Sequence, residues 1–238
     1  MNLNLTEIFG SFNSKREALF FFFFIFFYQI IFIFQGLDFA DQGVYATTYQ
    51  YIFSQPDSVQ FYFRFWFSLI LGGAWLSIFP GLGLIGIRLA GVLVTTLTVI
   101  IVFYLLRKYI SFRSLLTGLL IALFILSYKT PSEMYYNNLS VFFWVTASAI
   151  LFYGLKEEKR RLIFIAAIIM GINVFTRLPN ILGLGIVLSI FYYGWINKTR
   201  VTEIIYNSML YVSGFFASIG LVLLIMYFAG HLDMFIDS

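Results

Sequence analysis

Long apolar runs alternate with short polar or charged breaks along almost the whole chain. The first run is Ala18 to Gln35, with five consecutive phenylalanines from Phe20 to Phe24. Further runs occupy Arg88 to Leu106 (reaching back to Ile85), Ser114 to Tyr128, Leu139 to Leu155, Leu162 to Thr176, Ile181 to Ile196 and Asn207 to Ala229. Each approaches the ~20 apolar residues that a helix needs to cross a bilayer core. None shows the period-two alternation of a transmembrane barrel strand. The pattern predicts an all-α, polytopic helical membrane protein with about seven transmembrane helices. It reads as one domain over residues 1–238: a first span at 18–35, an extracytoplasmic loop with interfacial helices at 36–84, and six further spans at 85–230.

Val59 to Phe79 is the ambiguous stretch. It is long enough to span, yet it carries Arg64, Gly72 and Gly73. Its first half, VQFYFRFWF, is aromatic with an early cation, which suits a helix lying in the interface. Charge decides between the two readings. If this stretch lies flat, 11 of the 15 basic residues collect on one side, and Arg64, Arg88, Lys129 and Arg177 alone fall on the other. Basic residues mark the cytoplasmic side, so the N-terminus is predicted inside and the 36–84 loop outside. A spanning 59–79 with the N-terminus outside keeps nine basic residues inside and is the competing topology. The first run ends in IFQGLDFADQG without an A-x-A-like cleavage site, so it reads as an uncleaved anchor in the cell (inner) membrane.

Composition narrows the function classes. Hydrophobic residues make up 61% of the chain, charged residues 11%, and mean hydropathy is +0.91; soluble domains are nearer half apolar and a quarter charged. The net charge of +4 lies in the clusters that encode topology, so nucleic acid is not an expected partner. There is no cysteine and a single histidine, His231, which excludes thiolate chemistry and disfavours a histidine-based metal site.

The segment Gly36 to Asp57 holds three of the five aspartates, Asp38, Asp41 and Asp57. Asp38 and Asp41 are three apart, so a helical turn sets them on one face. A carboxylate at the mouth of an apolar groove can act as a general base or orient a cation. The structural alternative is that Asp41 N-caps a short helix to about Phe53 and Asp38 is solvated. The two could ligate Mg²⁺ or Mn²⁺, although no metal or other cofactor is required. On the same predicted side, Arg64, Arg88 and Arg177 are basic residues that can snorkel to headgroups. Asp57 follows Pro56 and shapes a turn or joins the site. Asn137 and Asn138 could cap a helix from Leu139. Glu133 is expected in the first turn of a helix, and His231 and Asp233 at the interface.

The order of these pieces resembles the GT-C superfamily of membrane glycosyltransferases, including its protein O-mannosyltransferase and aminoarabinose-transferase branches. The residues that carry the resemblance are Asp41-Gln42-Gly43-Val44-Tyr45, Pro56-Asp57, the aromatic helix Gln60 to Trp75, Arg88-Leu89 opening the next span, Tyr136-Asn137-Asn138-Leu139-Ser140 and Thr176-Arg177-Leu178-Pro179-Asn180. Gln42 stands where that family commonly has the second acid of an Asp-Glu pair, with Asp38 the nearest substitute. The chain resembles the family's conserved seven-span module alone. The resemblance implies inverting transfer of a sugar from a polyprenyl-phosphate donor, at the extracytoplasmic face, to a glycan, lipid or protein acceptor. Asp41 would be the base and Asp38 the reserve. Arg177, Arg88, Arg64, Asp57, Asn137 and Asn138 would contact substrate. Two other classes fit the same pattern: a flippase for a lipid-linked sugar, and a non-catalytic membrane subunit. Against the flippase, no ionisable group sits deep within a predicted span, where transport pathways usually carry them.

Overall fold

The computed structural model describes residues 14–34, 42–107, 109–129 and 133–238. Every regular element among them is helical. In chain order they are α1 (Ser14–Ile30) with a 3-10 extension Ile31–Phe34, α2 (Gln42–Tyr51), a 3-10 helix Pro56–Phe65, α3 (Trp66–Ile78), a 3-10 turn Pro80–Leu82, α4 (Gly83–Leu106), α5 (Phe112–Lys129), α6 (Tyr136–Lys156), α7 (Arg160–Asn173), a 3-10 helix Leu178–Ile186, α8 (Val187–Ile196), α9 (Val201–Phe228) and α10 (Leu232–Asp237).

The chain is a multi-pass helical membrane protein. Five helical stretches among the described residues are long and apolar enough to cross a bilayer: Pro56–Ile78, Pro80–Leu106, Tyr136–Lys156, Leu178–Ile196 and Val201–Phe228; Leu19–Phe34 and Phe112–Ile125 are shorter apolar helices. At 24 residues α4 is about 36 Å long, more than the ~30 Å of a hydrocarbon core. Large apolar side chains on the outside, among them Leu182, Trp195, Met209 and Phe228, are exposed because lipid is their solvent.

Lipid tails are as apolar as leucine, so such helices associate through close packing and a few polar bonds. The centre of the bundle is α7, packed against α6 and α9. Gly171 makes the α7–α9 approach possible: a methyl group there would come within 1.9 Å of Ser218 Oγ and 2.4 Å of the Phe215 carbonyl oxygen. At the edge, Gln29 Nε2 donates to Thr96 Oγ1 at 3.2 Å, fastening α1 to α4.

The spans alternate in direction, so their connections fall at two ends. At one end are tight turns, with Glu158 and Lys198 both in the left-handed region at φ 52°. At the other end, α2, the 3-10 helix Pro56–Phe65 and α3 form a layer across the bundle. Trp66 Nε1 donates to His231 Nδ1 at 3.0 Å, and the Phe67 amide donates to the Phe175 carbonyl at 2.9 Å. Further along α3, Trp75 Nε1 donates to the Gly86 carbonyl at 2.7 Å. His231 follows the end of α9, Phe175 follows α7, and Gly86 lies in the first turn of α4. Both ends of α3 therefore meet the same end of the bundle. The length of Pro56–Ile78 would allow it to span, while these bonds tie residues near both ends of α3 to one end of the bundle.

Candidate functional site

The covering layer is locked to the bundle by a buried polar network centred on Arg88. This residue lies in the second turn of α4 and is buried with only 3% of its surface exposed. Its guanidinium is a planar fork able to serve two acceptors at once. Nη1 donates to the Ile33 carbonyl at 2.6 Å, and Nη2 donates to Gln42 Oε1 at 2.8 Å. The far side of the same amide, Gln42 Nε2, donates to Glu133 Oε1. Gln42 and Glu133 are themselves buried. The amide thus stands between a cation and an anion with its oxygen toward the first and its nitrogen toward the second. Only this orientation satisfies both neighbours.

Ile33 and Gln42 are the residues on either side of the segment that carries Asp38 and Asp41. One guanidinium therefore fixes the chain before and after that segment. Asp38 and Asp41 themselves lie outside the described residues. The predicted helix after Asp41 is present as α2, which begins at Gln42 and ends at Tyr51.

Glu133 is held as firmly as Arg88. Its carbonyl accepts from Asn138 Nδ2 at 2.6 Å. Its backbone lies against Gly91, where a methyl group would come within 2.3 Å of the Glu133 carbonyl carbon. Next to it, the Tyr49 hydroxyl donates to the Met134 carbonyl at 2.7 Å. Burial, and then the negative charge of Glu133, push the Tyr49 phenol well above its ordinary range, so it remains a donor. Two expectations are corrected here. Glu133 is not in a helix's first turn, because α6 starts at Tyr136 and Glu133 precedes it. Asn138 does not cap that helix: it lies within it and binds back to Glu133, and the N-cap residue Tyr135 makes no side-chain cap bond.

A second group lies at the same end, nearer the surface. Phe65 and Tyr136 stack with ring centroids 4.2 Å apart and planes at 10°. A cation sits by each ring: Arg64 Cζ is 5.5 Å from the Phe65 centroid, and Arg177 Cζ is 5.5 Å from that of Tyr136. Arg64 also lies over Phe61 at 4.6 Å, and its Nε has no hydrogen-bond partner among the described residues. Arg177 is exposed and Nη1 donates to Asn137 Oδ1 at 3.1 Å. Below it, Asn180 Nδ2 reaches Ser140 Oγ at 2.8 Å and the Asn173 carbonyl at 3.0 Å, which fixes the Arg177-Leu178-Pro179-Asn180 break against α6. Asp57 is exposed in the first turn of the 3-10 helix Pro56–Phe65 and makes none of these bonds.

The structure thus joins Arg88 to both flanks of the aspartate segment, and links Arg177 to Asn137 and Asn138 to Glu133. It sets Arg64 beside one ring and Arg177 beside the other ring of one aromatic stack. Sequence reasoning missed the roles of Glu133, Gln42 and Tyr49. The available signal was that Glu133 is the sole acid of its loop, on the side where Gln42 replaces an acid. No protein-family model, curated protein or solved structure matches this chain.

Proposed function

We propose that the chain is a membrane glycosyltransferase that moves a sugar from a polyprenyl-phosphate donor to an acceptor hydroxyl at the extracytoplasmic face of the cell membrane. One observation carries this reading. A single buried arginine clamps both ends of a short segment bearing two aspartates, and it does so at the end of the bundle where a flat aromatic layer covers the spans. General base catalysis demands a positioned carboxylate, and the chain is anchored on both flanks of the segment that supplies one.

In the reaction, Asp41 accepts the proton of the acceptor hydroxyl as that oxygen attacks the anomeric carbon. The bond from that carbon to the donor phosphate oxygen breaks, and the lipid phosphate leaves with the electron pair. Attack from the face opposite the leaving group inverts the centre. Arg64 and Arg177 are the cations available to neutralise the charge that grows on the phosphate. The Phe65–Tyr136 stack holds these two cations close together, and Asn137, bound to Arg177, lies beside them. Glu133 fills the role left open by Gln42: it is the second acid, brought from another loop to the residue following Asp41.

The test uses membranes carrying the full chain and a panel of polyprenyl-phosphate hexoses and pentoses labelled in the sugar. Asp41→Asn is expected to lower transfer by about 10²- to 10⁴-fold, the usual contribution of a general base. Its insertion and thermal stability should stay near those of the parent. Normal turnover by this variant would remove Asp41 from the role, and movement of labelled lipid without product would favour a flippase.

A further inference from the structure

The end of the bundle opposite Arg88 contains a cleft of about 910 Å³ between the α6–α7 and α8–α9 turns. Lys159, Arg160, Arg161, Asn197 and Asn207 line it, with Glu158 and Glu203 as the acids facing it. An apolar groove of about 540 Å³ adjoins it, running between α6 and the Leu178–Ile196 stretch. Leu151, Phe152, Ile186 and Tyr192 line that groove, and the two spaces share Leu155, Tyr193 and Asn197. A charged cleft therefore borders an apolar groove along three shared residues, an arrangement that suits a molecule with a polar head and a hydrocarbon tail.

The charges say which head. The two turns and the residues beside them carry Lys156, Lys159, Arg160, Arg161, Lys198 and Arg200 against Glu157, Glu158 and Glu203. Lys159 is engaged with Glu157 at 3.9 Å. The Arg160 guanidinium stacks on Tyr206, with Cζ 4.4 Å from the ring centroid; a stacked guanidinium keeps its in-plane N–H groups for an acceptor such as phosphate. Asn207 Oδ1 is buried and has no hydrogen-bond partner among the described residues, so the chamber holds an acceptor that a hydroxyl could satisfy. We infer that this end holds an anionic phospholipid with a hydroxyl-bearing head, its phosphate on Arg160 and Arg161 and one acyl chain in the groove beside α6. The inference is independent of sugar transfer.

The experiment compares lipids retained by the full chain purified in mixed micelles of phosphatidylglycerol and phosphatidylcholine. Phosphatidylglycerol should be enriched about tenfold, and Arg160→Gln/Arg161→Gln should remove most of that enrichment. Gly185→Phe should do the same from the tail side. Gly185 lines the groove, and a Cβ there has nothing within 4 Å, so the ring can enter without displacing the fold. Arg107→Gln/Arg113→Gln, which removes two cations outside the cleft, should leave the enrichment intact. Equal retention of the two lipids would overturn the inference. So would an equal loss in the Arg107/Arg113 control, or complete competition by glycerol phosphate, which has the head but no tail.

Discussion

The two ends of this bundle use charge in opposite ways. At the covered end, Arg88 and Glu133 are buried and bridged by one amide, and their partners come from the Ile31–Phe34 turn, α2 and α6. At the other end, the ion pair Lys159–Glu157 is long and exposed, and the turns are short. Solvated charge is what a membrane protein needs to set its orientation. Buried charge costs desolvation and must be surrounded by partners. A chain with so few charged residues buries two of them at the covered end, and α2, through Gln42, stands between them.

Four substitutions or conditions probe that difference. Arg88→Leu should be the most damaging, because it strands Glu133 and releases both flanks of the aspartate segment; breaking one partner of a buried ionic group typically costs about 3–5 kcal/mol. The thermal midpoint in detergent reads it. Gln42→Glu should cost less, about 1–3 kcal/mol, by removing the donor to Glu133 and setting two carboxylates together. The same assay on Gln42→Glu/Glu133→Gln should recover most of the loss, since the exchanged pair again gives Arg88 an oxygen and joins an amide to a carboxylate.

Acidification should have a smaller effect at His231. Burial holds its imidazole below the usual histidine range, and Nδ1 accepts from Trp66, so the folded chain prefers the neutral form. The unfolded chain binds the proton more readily, so this contribution is full above about pH 6.5 and fades as pH falls toward the lower folded value. The contact between α10 and the 3-10 helix Pro56–Phe65 should loosen first, with a change in tryptophan emission between pH 7 and 5 that His231→Gln abolishes. Smallest of all, Glu157→Gln at the other end should shift stability by less than about 0.5 kcal/mol, as exposed pairs do.

Much of this fold was legible because lipid writes in long apolar runs. The all-helical, multi-pass character of the chain and the turn at Lys156 to Arg161 follow from hydropathy and a few cations; of the seven runs read as spans, four fall in helices long enough to cross a bilayer, and Pro56–Ile78 is a fifth such helix among the described residues. The start of α6 was read three residues late, since no side chain caps it and the polar Asn137 and Asn138 lie inside the helix. The aspartate segment could be singled out by its acids, and Arg88 by its place before a span. The pairing of Gln42 with Glu133 could not, because the two are 91 residues apart and hydrophobic pattern says nothing about which polar groups meet. Arg88 looked like one cation among four on its side; its burial, which makes it a clamp, is a tertiary fact.

Because the chain has no cysteine, single-cysteine labelling of intact cells gives the most direct test of where this chemistry stands. Ser54→Cys, on the covered end next to Asp57, should react with an impermeant maleimide from outside, whereas Glu157→Cys should react only after permeabilisation. The reverse pattern would put the clamped aspartate segment in the cytosol and contradict sugar transfer at the outer face.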